Sequence, residues 1–276
     1  MPIAYPKTLA GWTEFIGRQN LPILRHTAAK LARMRAFEDE LDARSMADNL
    51  RGDPLMALRT FAQLAALRRR HAATDVSTMD RAILMMGITP FLAAFKDVPM
   101  VECGSNGDRG AYRGLLRVLR RAQHAQNYAV RIAIWRNDVA AEEIGLAALL
   151  HDLTEMLVWY CAPELAERIQ CMLAADPRVR STAAQRAVLG VTLNELQQQL
   201  AKRWHLPELL VKLMDDKHAG ATRVRNAVLA VNVARHSALG WSNAALPDDF
   251  KDISELLSVS PSTARAIIRR EALEAA

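Results

Sequence analysis

The residues best suited to chemistry are an adjacent histidine and aspartate, His151-Asp152, set inside an apolar stretch that runs to Trp159. Burying an imidazole and a carboxylate in such surroundings costs free energy unless each finds a partner or a cation. Taken alone, the doublet reads as a satisfied core histidine with a neighbouring helix cap. It is accompanied by His124, which lies 27 residues before His151 on another predicted helix, and by His218, 66 residues after Asp152. Imidazole and carboxylate ligands that converge suit a divalent metal, and such an ion lowers the pKa of its bound water. A second group is basic. Arg113, Arg117, Arg120 and Arg121 recur at helical spacing, which gives either a solvated face or a binding site for an anion such as a nucleotide or an acidic partner.

The elements that hold these side chains are helical. Ala, Leu and Arg dominate the 276 residues, with 51% hydrophobic, 24% charged and only 5% aromatic, a balance that favours helix-on-helix packing over sheet. A net charge of +6 suits an anionic partner but is equally that of many ordinary soluble proteins. The three cysteines, Cys103, Cys161 and Cys171, form no C-x-x-C pair and read as reduced thiols of a cytoplasmic protein. No secretory leader is evident, and the apolar run around Leu146–Tyr160 is interrupted by His151, Asp152 and Glu155, so no membrane association is expected. Phosphate-loop, dinucleotide-fingerprint and nucleophile-elbow motifs are all missing from the sequence, so the corresponding enzyme classes have no foothold.

Capping residue and proline pairs mark helix starts at Asp53-Pro54, Thr89-Pro90, Asp176-Pro177 and Ser260-Pro261. Helices are predicted over Leu21–Ala36, Ser45–Leu50, Pro54–Arg70, Met79–Phe95 and from Asp138 through Trp159. The glycine-rich Val101–Gly110 reads as a hinge. It divides an N-terminal lobe, residues 1–105, from a second lobe, 106–241, with a terminal helical segment at 242–276. In that segment, Ile253–Arg270 has the look of a helix-turn-helix with its turn near Ser258.

The ordered set of a histidine, a His-Asp doublet and a later histidine resembles the HD superfamily, whose active members use such residues to bind one or two divalent metals for phosphate-ester cleavage. The closer resemblance is to its HDOD branch. It is carried by Leu21-Pro22, Ser45–Leu67 (SMADNLRGDPLMALRTFAQLAAL), Thr78–Leu92 (TMDRAILMMGITPFL), Leu149–Leu157 (LLHDLTEML) and Leu189–His218. The resemblance spans about residues 20 to 240. It implies an all-α, two-lobed fold with an HD-like second lobe, and a bacterial signal-transduction role exercised through a partner protein.

Departures from the metal-binding pattern point away from hydrolysis. Leu193 stands where a histidine is expected and continues the stripe Leu189, Leu193, Leu196, Leu200 and Trp204, a helix face turned to the core. Lys217 precedes His218, and its ammonium opposes a cation. Asn232 replaces the closing aspartate, and a neutral amide is a weak ligand for a hard cation. The expectation is therefore a vestigial pocket of His124, His151, Asp152 and His218, with no catalytic residue, no metal and no cofactor. Two alternatives stay open: a residual metal-dependent phosphohydrolase, and a DNA-binding regulator acting through the C-terminal helices.

Overall fold

The computed structural model describes residues 4–68, 76–101, 109–176, 178–215 and 220–274; Arg69, Arg70, Cys103, Pro177, Lys217 and His218 lie outside them, as does most of the expected hinge. The described chain is helical. Its helices are α1 (Leu9–Gly17), α2 (Arg25–Ala36), α3 (Ala43–Leu50), α4 (Pro54–Arg68), α5 (Met79–Met86), α6 (Ile88–Ala94), α7 (Arg109–Trp135) and α8 (Ala141–Leu150). They continue as α9 (Leu153–Cys161), α10 (Pro163–Ala175), α11 (Ser181–Leu189), α12 (Leu193–Arg203), α13 (Glu208–Leu213), α14 (Thr222–His236), α15 (Leu246–Leu257) and α16 (Pro261–Glu274). Among the described residues the only β-type pairing is a parallel bridge between Ile23 and Met100.

Several boundaries differ from the sequence reading, each for a local reason. The segment from Leu21 to Leu24 is extended, with the Ile23 N–H donating to Pro99 O at 2.8 Å, so α2 starts only at Arg25. The predicted Met79–Phe95 helix breaks at Gly87, whose φ of +80° suits glycine because it has no Cβ. Asp176 ends α10 instead of starting a helix. By contrast, Asp53 caps α4 as predicted: its Oδ1 accepts from the Leu55 and Met56 N–H groups at 2.9 and 3.0 Å. Its Oδ2 accepts from the Leu24 N–H at 2.9 Å, fixing the entry to α2. Burial pushes the Asp53 carboxyl above its usual range, against the pull of these bonds.

The chain forms two compact units. Unit one gathers residues 1–74, 79–118 and 152–206; unit two gathers 75–78, 119–151 and 207–276. The division read from the sequence ran along the chain at 105 and 241, whereas these units interleave. In unit one, α1 packs on α12, α3 and α4 on α5, and α9 on both α10 and α12. Trp12 is fully buried there and its Nε1–H donates to Leu189 O at 2.9 Å. The predicted leucine stripe faces this core, with Leu189, Leu196 and Leu200 buried. Thr192 and Glu195 close a reciprocal capping box at the start of α12.

In unit two, α14 packs on α8, α13 and α15, and α15 packs on α16. A single cluster joins Ala125, Ile132, Leu229, Val233, Ile253 and Ile268 from α7, α14, α15 and α16. The 21-residue run Ala141–Cys161 is by length and composition apolar enough to cross a membrane, yet 83% of its most apolar 18-residue window is buried inside the protein. It serves as core.

Candidate functional site

The His-Asp doublet marks a break in the expected long helix. His151 ends α8 with helical dihedrals, and Asp152 opens α9 with φ −97° and ψ 19°. The division between the two units falls between these residues. Both are buried, at 8% and 6% exposure, and both residues make further interactions within the molecule.

Within unit one, the turn after Asp152 carries a polar contact absent from the sequence reading. Thr154 donates through both its backbone N–H and its hydroxyl to Gln197 Oε1, each at 3.2 Å. Thr154 and Gln197 are buried at 1% and 8% exposure. Leu193, the position read as a lost histidine, is only half-buried. Gln197 lies one turn further along α12 and is the polar group that faces inward. On a helical wheel it stands about 40° beyond Leu193, at the edge of the leucine face.

Within unit two, His124 sits on α7. Its side chain is exposed and its ring stacks on Tyr128, with centroids 6.0 Å apart and planes 23° apart. Partial burial against that neighbour holds its pKa below the usual histidine value. Arg113, Arg117 and Arg120 are exposed on α7, and steps of four, three and four lead from Arg113 to His124. The histidine therefore continues the basic face, because residues at these spacings share one side of a helix. Arg117 donates to Gln170 Oε1 at 2.7 Å. Arg121, four residues from Arg117, is half-buried and makes further interactions of its own.

On α14 the buried amide is Asn226, at 1% exposure, while Asn232 is half-buried. Asn226 Nδ2 donates to Ala129 O at 3.2 Å, and its Oδ1 has no partner. His236 and Asp249, neither singled out in the sequence, form an ion-pair contact at 2.6 Å.

Among the described residues, no three His, Cys, Asp or Glu side chains gather closely enough to hold one ion. The inward-facing polar groups of α12 and α14 are the neutral amides Gln197 and Asn226. Neutral amides neither ionise nor match carboxylates for a hard cation. His218 lies outside the described residues.

The family model for the HDOD domain matches residues 21–220. Among solved structures, the MmoQ response regulator from Methylococcus capsulatus str. Bath superposes with a TM-score of 0.68 at 18% identity, covering 91% of this chain and 98% of its own. A virulence factor, cj0248, from Campylobacter jejuni subsp. jejuni gives 0.63 at 17% identity, covering 91% and 90%. An HDOD domain protein from Geobacter sulfurreducens gives 0.51 at 17% identity, covering 96% and 95%. At these identities the structural likeness establishes the fold alone. No curated protein matches the sequence. With the match over residues 21–220 and an all-helical fold shared with these structures, the chain belongs to the HDOD domain family, a relative of the HD phosphohydrolases.

Proposed function

We propose that this chain is a non-enzymatic regulator that works by binding a partner protein or ligand and not by turnover. The observation that carries this reading is the placement of His124 on an exposed face while neutral amides, Gln197 and Asn226, occupy the inward polar positions of α12 and α14. Hydrolysis of a phosphate ester by a bound ion needs ionised or imidazole ligands converging on one point. The likeness of the fold to a response regulator supports a regulatory role in a bacterial cell. The exposed guanidinium groups of Arg113 and Arg120 offer an acidic partner a surface that does not have to be desolvated deeply.

Metal analysis of the purified full-length protein, paired with hydrolysis of a chromogenic phosphodiester in added Mn²⁺, tests this reading. Substoichiometric metal and hydrolysis no faster than that of His151→Ala are expected. One bound divalent ion per chain, with hydrolysis abolished by His151→Ala, overturns it.

A further inference from the structure

We propose that the turn at Ser258 and the helix after it form a helix-turn-helix that docks on duplex DNA, with α16 as the helix presented to the groove. This names a partner class beyond the regulatory reading and stands whether or not the His-Asp doublet retains chemistry.

The backbone supplies the turn. Leu257 ends α15, and Ser258 takes φ 55° and ψ 44°, the left-handed conformation that reverses a chain after a helix. The Val259 N–H returns to Ser254 O at 3.0 Å. Ser260 then caps α16, accepting the Thr263 N–H at 3.1 Å, and Pro261 follows as the first helical residue. Two helices joined by so short a turn match the motif.

Two such helices alone lack a core, and here unit two provides one. Ser254 and Ala264 are small and buried, at 6% and 0% exposure, which permits close approach of α15 and α16. Leu257, Ile267 and Ile268 join the cluster that contains Leu229 and Val233 of α14. Arg131 of α7 donates to Ile267 O at 2.8 Å, so the inner side of α16 is held firmly.

The outer side has the chemistry of a phosphate and base-edge reader. Ser262, Arg265, Ala266 and Arg269 are exposed at spacings that put them on one face, and none of them is acidic. Arg269 is braced over the Trp241 ring, 5.4 Å from its centroid. Of the acids of α15, Glu255 and Asp252 share one cation, Arg225, at 3.1 and 3.8 Å. A guanidinium on such a face pairs with phosphate or with the guanine edge, and a hydroxyl positions on phosphate.

The test uses the full-length protein and fluorescence anisotropy with a labelled random-sequence duplex, starting at about 50 mM salt, where phosphate contacts are strong. Binding whose logarithm falls linearly with the logarithm of salt is expected, weakened about tenfold or more by Arg265→Glu and by Ser262→Glu. Both sites are exposed, so circular dichroism should show unchanged folding. Arg33→Glu, at an exposed basic position of α2, should bind as the wild type does. No binding at low salt, equal loss with Arg33→Glu, wild-type affinity in Arg265→Glu, or binding to single strands only would each overturn the proposal.

Discussion

His236 Nδ1 lies 2.6 Å from Asp249 Oδ2, tying the last turn of α14 to the first turn of α15. The positions suit the charges, since a cation is favoured at a helix C-terminus and an anion at an N-terminus. Asp249 is buried at 6% exposure, and that burial raises its carboxyl pKa above the usual range. The His236 contact opposes the rise, while Asp252 and Asp248 add to it. Replacing His236 by alanine leaves a buried carboxyl without this partner and should cost about 1–3 kcal/mol by urea denaturation at neutral pH.

The pH dependence of that group has a defined sign. Its folded pKa is raised, so the folded state keeps the proton longer than the unfolded chain. The stabilising contribution is fully present below the usual carboxylate range and is lost as pH rises through the raised value. The stability of the wild type relative to Asp249→Asn should therefore decline as pH rises from the usual carboxylate range through the raised value. A relative stability that climbs over this window means that pairing with His236 outweighs burial.

Helix propensity alone predicts that replacing Gly114 in α7 by alanine stabilises by about 1 kcal/mol. Packing reverses the sign. A Cβ at Gly114 would sit 2.3 Å from the Trp159 ring, a rigid neighbour that is itself buried at 3% exposure. Gly114→Ala should destabilise by roughly 1–3 kcal/mol, accompanied by a shift in tryptophan emission. A higher melting temperature would contradict this packing.

Gln197 holds two donors of Thr154 at once. In Gln197→Leu both donors lose this acceptor in a site with little water, and a loss of about 1–3 kcal/mol is expected by chemical denaturation. The double variant Gln197→Leu/Thr154→Val should recover part of it, since the hydroxyl then no longer needs an acceptor. Equal stability of the single variant and the wild type would mean that water replaces the amide.

The reciprocal cap of α12 gives a further pH signature. Glu195 is held below the usual glutamate range chiefly by the Thr192 backbone N–H, then by the Thr192 hydroxyl and Arg186. Its contribution is present above the ordinary carboxylate range and is lost as pH falls through the depressed value. Thr192→Ala should cost about 1 kcal/mol at neutral pH, and the deficit should narrow in acid.

Much of the helical plan was legible because its signals are local. The buried Leu189, Leu196 and Leu200 and the caps at Asp53 and Ser260 follow from spacing and side-chain chemistry within a few residues. What escaped depends on more distant facts. The break at His151-Asp152 falls within a run whose apolar residues continue on both sides of the doublet. His124 is exposed, and its spacing from Arg113, Arg117 and Arg120 already placed it on the same side of α7 as those arginines. Asn226 and Gln197 carry no signature as single residues, since their importance comes from Ala129 and Thr154 on other helices. His236 and Asp249 are ordinary in sequence and become a pair only when α14 and α15 pack.

The bond from Trp12 to Leu189 joins residues 177 positions apart, which has a consequence for biosynthesis. At ribosomal speeds, roughly 10–35 s pass between making the two. Throughout that interval the tryptophan and the adjoining Ile16 of the nascent chain have no α12 to cover them. The leading helix must therefore be tolerated by the cell as an uncovered apolar surface, or sheltered by a chaperone, until nearly three-quarters of the polypeptide has been translated.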